Sequence, residues 1–278
     1  MSIDVNFYPG WVRKSITFTI DDGNVVLDRK FMNYVKPAGI KGTFNIIGNH
    51  YGSGDPNRLS YDDLKELFFP KGHEVANHCM HHAAPINLTP VEGMREVIEG
   101  RRAAETFYDR ILRGFAYPDR TETNETIKSY LRMSGTAYAR ATEGTGTFAL
   151  PKDFYNWLPT CKHTDENALA LAQTFLDADP RAKYCSQRDS LLFFVWGHSF
   201  ECPADDFRQF EALCALLGGH EDIWYAPCID ICDYIRTYDS LIASVDNTLL
   251  FNPSPLRVWL DWDEKRFTVG PGETIRIG

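Results

Sequence analysis

Two adjacent carboxylates, Asp21 and Asp22, stand at the end of the segment Ser15–Gly23, which reads SITFTIDDG. Apolar residues alternate with threonines before the pair, which is typical of a strand, and Gly23 allows a sharp turn after it. Neighbouring acids at a strand end point in different directions, so one can bind a metal ion while the other transfers protons. The simpler alternative is a strand followed by an ordinary Asp-Gly turn.

Three histidines, His78, His81 and His82, lie within five residues in the segment GHEVANHCMHH at positions 72–82. On a helical turn, the four-residue spacing of His78 and His82 brings two imidazoles to one side of the chain, and His81 competes for the same role. Two imidazoles and one carboxylate form a three-ligand site with open positions, as in catalytic metal centres. Such ligands suit zinc, with cobalt or nickel as alternatives. The HExxH spacing of common metalloproteases is absent.

The bulk composition restricts the classes of partner. A net charge of −9 over 278 residues argues against nucleic acid and anionic membranes. No stretch approaches the ~20 apolar residues of a membrane span.

The first residues show no secretory signal, which predicts a cytoplasmic protein, whereas a removed leader would indicate secretion. Seven scattered cysteines without a CxxC pair predict free thiols rather than a disulfide framework. The oligomeric state is not determined by the sequence.

Strands and helices alternate along the chain. Strands are predicted over residues 15–22, 42–47, 73–76, 114–117, 136–141, 191–196 and 223–226, and helices over residues 25–36, 61–69, 90–112, 123–133, 166–177, 207–217 and 229–237. This alternation predicts right-handed crossovers and a mostly parallel sheet, either open or closed. Polar residues follow many of the strands. Polar groups from that many strand ends converge most easily at the mouth of a barrel. We therefore predict an α/β barrel.

The pattern changes near residue 244. Short strands are predicted over residues 257–262, 266–269 and 274–277, with a turn at 263–265. Such an antiparallel unit is too small to fold alone. We predict two parts, a barrel over residues 1–243 and a small antiparallel β appendage over residues 244–278 that packs on the barrel.

Five segments together resemble the motifs of the polysaccharide deacetylases, carbohydrate esterase family four, which carry the NodB-homology domain. In chain order these are TFTIDDG, NHCMHH, FAYP, DFYNW and FVWGHS, and the resemblance extends over residues 15–226. It implies a distorted (β/α)7 barrel of the TIM type. It also implies a divalent metal that activates water to remove acetyl groups, usually from N-acetylated sugars.

The resemblance also implies roles for individual residues. Asp21 is expected to be the general base, and His198 the acid that protonates the leaving group. Asp22, His78 and His82 are expected to bind the metal, with His81 outside the coordination shell. Backbone N–H groups near Tyr117 are expected to stabilise the oxyanion together with the metal.

Two of the motifs depart from the family pattern. Ala116 stands where the family usually has an arginine that orients the catalytic aspartate, and we predict that Arg140, at the end of the next strand, replaces it, with Arg120 as the second candidate. Asn156 replaces the usual second aspartate of the fourth motif, which leaves Asp153 as a possible partner of His198.

Aromatic residues near these motifs are candidates for sugar contacts. Trp157 is expected to form a groove wall, and Trp196 and Trp224 could stack on sugar faces or belong to the core. The leading hypothesis is a deacetylase of N-acetylated amino sugars. The alternatives are an O-acetyl xylan esterase, another amide hydrolase on the same site, or a carbohydrate-binding barrel without activity.

Overall fold

The computed structural model describes residues 3–56, 58, 68–119, 123–180, 190–202, 206–262 and 265–277. Its centre is a sheet of eight parallel strands. These are β2 (Lys14–Asp22), β3 (Gly42–Ile46), β4 (Glu74–Asn77), β5 (Gly114–Ala116), β6 (Tyr138–Arg140), β7 (Cys161–Lys162), β8 (Leu191–His198) and β9 (Ile223–Tyr225). The strands follow the order β6-β5-β4-β3-β2-β8-β7, and β9 pairs with the first residues of β2.

The two edges of this sheet meet. Arg140, the last residue of β6, forms a parallel bridge with Trp157, which lies just before β7. On either side of the bridge, Ala141 N–H donates to the Trp157 carbonyl at 3.0 Å and Trp157 N–H donates to the Ala139 carbonyl at 3.0 Å. The sheet therefore curls into a distorted barrel with seven strands in its wall, and the predicted fold class is confirmed.

Six α-helices are described, and side chains cap several of them. They are α1 (Val25–Val35), α2 (Pro90–Tyr108), α3 (Glu125–Met133), α4 (Ala168–Asp177), α5 (Arg208–Leu217) and α6 (Cys228–Ser240). Thr89 and Glu92 form a reciprocal capping box at the start of α2. We predicted that this helix extends to residue 112, which is wrong, because Asp109 adopts a left-handed conformation and ends it.

Aromatic packing fixes α1, which begins immediately after the Asp pair. Phe31 of α1 stacks on Phe210 of α5 with ring centroids 3.8 Å apart, and Phe18 of β2 packs edge-on against the same ring. All three rings are buried. Fully burying such side chains stabilises the fold by about 1.5–3 kcal/mol each. This packing holds α1, and with it the turn between β2 and α1, in place.

Two small antiparallel sheets accompany the barrel. One contains β1 (Ile3–Phe7), β12 (Val258–Trp262) and β13 (Lys265–Val269), and the other contains β10 (Ile242–Ala243), β11 (Leu249–Phe251) and β14 (Thr274–Arg276). The antiparallel strands expected near the carboxyl terminus are thus confirmed, whereas β1, β7, β10 and β11 were not predicted. The domain boundary at residue 243 stays a prediction.

Some sequence-based expectations fall outside the described residues. These are the helix over residues 61–69 apart from its last two residues, the turn at residues 263–264, Arg120 and Cys185. The other six cysteines form no disulfide. Among the helices that are described, none has the length and apolarity that crossing a membrane requires.

Candidate active site

Asp21 lies near the end of β2, where the register of the barrel surrounds it with polar groups. It pairs with Asn45 of β3 on one side and with His198 of β8 on the other. Asn45 Nδ2 donates to Asp21 Oδ1 at 2.8 Å, and the Arg140 guanidinium donates to Oδ2. Burial by itself would raise the pKa of Asp21, but Arg140, His78 and His198 hold that pKa below its usual value. Asp21 is therefore an ionised carboxylate in a buried position.

Asp22 occupies a strained turn. Its φ of +74° places a non-glycine residue in the left-handed region, and Gly23 follows with φ of +70°. The His50 ring contacts the Asp22 carbonyl oxygen, with Nδ1 at 2.9 Å. His50 is itself buried, with only 7% of its surface exposed. A conformation of this kind costs on the order of 1–3 kcal/mol and persists only where its surroundings fix it.

The loop that carries His78 and His82 is held by close backbone contacts. Cys79 and His82 both have positive φ, so this loop turns sharply and is not a helix. Met80 N–H donates to the Glu96 carbonyl of α2 at 3.0 Å. A Cβ on Gly100 of α2 would lie 2.5 Å from the backbone of Cys79, so only glycine lets the helix approach this closely.

Asp22, His78 and His82 converge at the mouth of the barrel. Nε2 of each histidine lies 3.4 Å from Asp22 Oδ1. The ligand atoms of all three residues lie within 4.8 Å of one another. Burial would raise the pKa of Asp22, but His78, His198 and His82 lower it to about 2, so this carboxylate is ionised.

The donor set fits a divalent cation. His78 Nδ1 lies 3.0 Å from the Ala116 carbonyl oxygen, so it carries the proton and leaves the lone pair of Nε2 facing Asp22. Asp22 Oδ1 and His78 Nε2 are buried without a hydrogen-bond partner among the described residues. A nitrogen lone pair and an ionised oxygen that face each other repel unless a cation lies between them.

His81 points away from this cluster. Its side chain is 62% exposed, and its Nδ1 lies 2.7 Å from Glu96 Oε1. Glu96 Oε2 also accepts the backbone N–H of His81 at 2.8 Å. His81, which the spacing alone left as a competitor, is thus held on the outer surface.

His198, the last residue of β8, faces both aspartates. Its Nε2 lies 3.9 Å from Asp21 Oδ2 and 3.9 Å from Asp22 Oδ2. Burial would lower the pKa of His198, but Glu201, Asp21 and Asp22 raise it above its usual value. The protonated form of this imidazole is therefore stabilised relative to that of an ordinary histidine, and Nε2 faces the two aspartates.

Glu201 is the neighbour of His198 that the sequence analysis missed. Its Oε1 lies 3.0 Å from His198 Nδ1, and Lys162 forms an ion pair with the same carboxylate. Burial opposes ionisation of Glu201, yet His198 and Lys162 lower its pKa to about 2. The available signal was the three-residue spacing from His198 in the segment HSFE.

The expected aromatic contacts divide into two groups. Trp196 is half-buried beside the site, with its ring centroid 5.0 Å from the Arg140 guanidinium and 5.8 Å from the His198 ring. Trp157 is only 1% exposed and packs in the seam of the barrel, so it forms no groove wall. Trp224 packs on Tyr8 from the strand β9, whose pairing is with the opposite end of β2.

Two further expectations do not match the geometry. The Tyr117 N–H donates to the Arg140 carbonyl at 2.9 Å, so this donor is not free for an oxyanion. Asp153 was considered as a partner of His198, but its Oδ2 lies 2.7 Å from Lys128 Nζ. The Asn156 side chain has a buried Oδ1 without a partner among the described residues.

A sequence model of the polysaccharide deacetylase family matches residues 12–138, which include the Asp pair and the histidine loop. This part of the chain is thus similar to the polysaccharide deacetylases. Among solved structures, it is similar to a family 4 carbohydrate esterase from Streptomyces lividans, with 16% identity, a TM-score of 0.52, and coverage of 76% of this chain and 91% of the esterase.

Two further solved structures share the fold of this protein. A variant of the peptidoglycan deacetylase PdaC from Bacillus subtilis has 12% identity and a TM-score of 0.53, with coverage of 84% and 96% of the two chains. A Xyl-CE4 domain of a multidomain xylanase from the hindgut metagenome of Trinervitermes trinervoides has 13% identity and a TM-score of 0.53, with coverage of 79% and 89%. At these identities the similarity supports the fold alone.

Proposed function

We propose that this protein is a polysaccharide deacetylase, a metal-dependent hydrolase that removes acetyl groups from N-acetylated amino sugars in oligo- or polysaccharides. The observation that carries the proposal is the pair Asp21–Asp22. One carboxylate is buried against Arg140, and the other faces Nε2 of His78 and of His82, with His198 3.9 Å from both. Together these groups can supply a general base, a cation site and a general acid at the barrel mouth.

Each side chain has a separate task in amide hydrolysis. The oxygen of the attacking water bonds to the acetyl carbon while Asp21 accepts a proton from that water. His198 gives its Nε2 proton to the sugar nitrogen as the carbon–nitrogen bond breaks. The products are acetate and a free amine, and the proton on Asp21 returns to solvent or to His198 for the next turnover.

Asp22, His78 and His82 would hold the divalent metal, which we propose to be zinc, with cobalt or nickel as alternatives. When bound, this ion would lower the pKa of water and polarise the acetyl carbonyl. The Ala116 carbonyl fixes the tautomer of His78 in advance, so less reorganisation is needed on binding.

Aromatic surface beside His198 supports a sugar as the substrate. Trp196 is half-buried, and Phe200 is 49% exposed with its ring 4.8 Å from the His198 ring. An exposed aromatic ring next to the acid offers a flat apolar face to the C–H groups of a pyranose.

Acetate release from a panel of N- and O-acetylated saccharides tests the function. We expect release from N-acetylated members, loss of activity with a chelator, and recovery with zinc, cobalt or nickel. Release from O-acetylated xylan alone would indicate an esterase, and saccharide binding without acetate release would indicate an inactive binding barrel.

The His82→Ala variant tests the metal site within the same assay. It should lose most of the activity and bound metal while its circular dichroism and melting temperature stay close to wild type, because His82 lies at the barrel mouth and adds little to the core. A variant that does not fold would show that His82 is structural instead.

A further inference from the structure

Two Glu–His pairs in this protein have the same construction but lie in different places. In each pair, one carboxylate oxygen accepts the backbone N–H of the histidine and the other lies beside the Nδ1 of its ring. For His81 and Glu96 the distances are 2.8 and 2.7 Å, and for His198 and Glu201 they are 3.1 and 3.0 Å. The first pair is on the surface, with 62% of the His81 side chain exposed, and the second is at the mouth of the barrel, with 19% of His198 exposed.

We infer that Glu201 is the positioning residue of His198, and that it supplies the carboxylate that the fourth motif lacks at Asn156. This inference rests on the proposed function of His198 as the acid. Because Glu201 Oε2 accepts the backbone N–H of His198 and Glu201 Oε1 lies 3.0 Å from Nδ1 of the same residue, the carboxylate holds the ring from its Nδ1 side and leaves Nε2 directed at Asp21 and Asp22. Asp153 cannot take this role, since it is bound to Lys128.

Surrounding contacts hold Glu201 itself in place. Lys162 forms an ion pair with it, and the Lys162 ammonium also lies 5.1 Å from the Trp196 ring. His163 Nε2 lies 3.6 Å from Glu201 Oε2 and 2.9 Å from the His198 carbonyl oxygen. The carboxylate is therefore fixed from two sides and is only 19% exposed.

Gly197 makes this arrangement sterically possible. Its φ is +150°, and an added Cβ would lie 2.1 Å from the His163 ring. The same Cβ would lie 3.3 Å from Glu201 Oε2. Only glycine at position 197 therefore leaves room for the His163 ring and the Glu201 carboxylate to pack against the end of β8.

The experiment compares Glu201→Ala with the matched control Glu96→Ala, which removes the same carboxylate from the surface pair. We expect kcat for Glu201→Ala to fall by about 10²-fold, the lower end of what a well-placed acid contributes, with KM changed less than about threefold. Glu201→Asp should recover part of the loss, because a carboxylate one methylene shorter still reaches the ring. Glu96→Ala should keep wild-type kcat.

A readout independent of turnover is the protonation of His198 Nδ1, followed by nitrogen-15 NMR of metal-free protein labelled at its histidines. The His198 signals are identified by their loss in His198→Ala. We expect a protonated Nδ1 in the wild type and in Glu96→Ala, and a shift away from that tautomer in Glu201→Ala.

Unchanged His198 signals in Glu201→Ala, or a wild-type kcat in that variant, would overturn the inference. An equal loss of kcat in Glu201→Ala and Glu201→Asp with unchanged signals would also overturn it and would assign the loss to general destabilisation. If the wild type releases no acetate from any saccharide, the proposed function fails, and the His198 signals alone decide whether Glu201 positions the ring.

Discussion

The two ends of the barrel each bury a carboxylic acid, and the two acids behave in opposite ways. At the mouth, Asp21 is 2% exposed and its pKa is lowered, because Arg140 lies against it. At the other end, Glu74 is 8% exposed, and burial raises its pKa to about 8. Burial disfavours the charged form of both acids, so the charge of the partner decides the outcome.

Among the described residues, the hydrogen-bond donors to Glu74 are neutral. Its Oε2 accepts from the Thr43 hydroxyl at 2.8 Å and from the Ile229 N–H at the start of α6 at 2.9 Å. These two donors favour the ionised form, but burial raises the pKa by more than they lower it. Glu74 therefore suits a protonated acid that joins the sheet to a helix, whereas Asp21, next to a guanidinium, suits a base.

The largest expected effect on kcat comes from removing the negative charge of Asp21 at the barrel mouth. Asp21→Asn keeps an oxygen that can accept from Arg140 but cannot take a proton, so kcat should fall by about 10²–10⁴-fold. Steady-state kinetics with an N-acetylated saccharide measure the loss. A variant that keeps its fold by circular dichroism and still turns over within tenfold of wild type would remove Asp21 from the role of base.

A smaller loss of kcat is expected when Arg140 is replaced by lysine, which keeps the positive charge but lacks the planar guanidinium. Arg140→Lys should lower kcat about tenfold or more while the metal content stays the same, because an ammonium cannot make the planar contact to a carboxylate. Arg113→Lys is the matched control, since Arg113 forms a two-pronged ion pair with Asp233 far along the sequence from either aspartate. A normal rate for Arg140→Lys would contradict the assignment.

Glu74→Gln tests the acid at the opposite end of the barrel through the pH dependence of the free energy of unfolding. In the wild type the folded pKa lies above the unfolded value of about 4.5, so the folded state binds the extra proton between about pH 4.5 and 8 and stability falls as pH rises through this range. The slope should be on the order of 1 kcal/mol per pH unit. Urea unfolding at several pH values should show that the stability of Glu74→Gln falls less steeply with pH than that of the wild type, by about this slope. Equal profiles would show that Glu74 is ionised in the folded protein.

The smallest expected effect is that of His81→Ala. Because His81 is exposed and bound to Glu96, its removal should leave kcat within about twofold and the metal content unchanged. Metal analysis and kinetics of this variant beside His82→Ala check the choice between the two histidines. Loss of metal in His81→Ala would show that His81 binds the metal ion and would contradict the assignment to His82.

The sequence predicted those parts of the molecule that depend on local pattern. Alternation in β2 and the spacing of His78 and His82 led to the barrel and to the cluster at its mouth, because strand periodicity and strand ends are local properties. The expectation for Arg140 drew on the absence of an arginine at position 116, and the structure places its guanidinium beside Asp21.

Features that depend on long-range packing were not predictable. The aromatic character of Trp157 and Trp224 is the same in a core and in a sugar site, and only the barrel seam and the pairing of β9 show that neither lies at the mouth. Glu201 was missed because a glutamate after a strand is usually a solvated charge. The two-residue strand β7 has no periodicity to detect, since it forms only by pairing with β8.

Arg140 both closes the barrel through its bridge to Trp157 and lies against Asp21, and this contact joins residues 119 positions apart in the chain. Contacts of such separation form late in folding, since a long loop must be closed before they contribute. Until β6 has docked, β2 carries Asp21 without its counter-charge, in a site that is still open to water. Deacetylase activity should therefore return after the bulk of the helical signal in a refolding experiment, which makes turnover itself a probe of barrel closure.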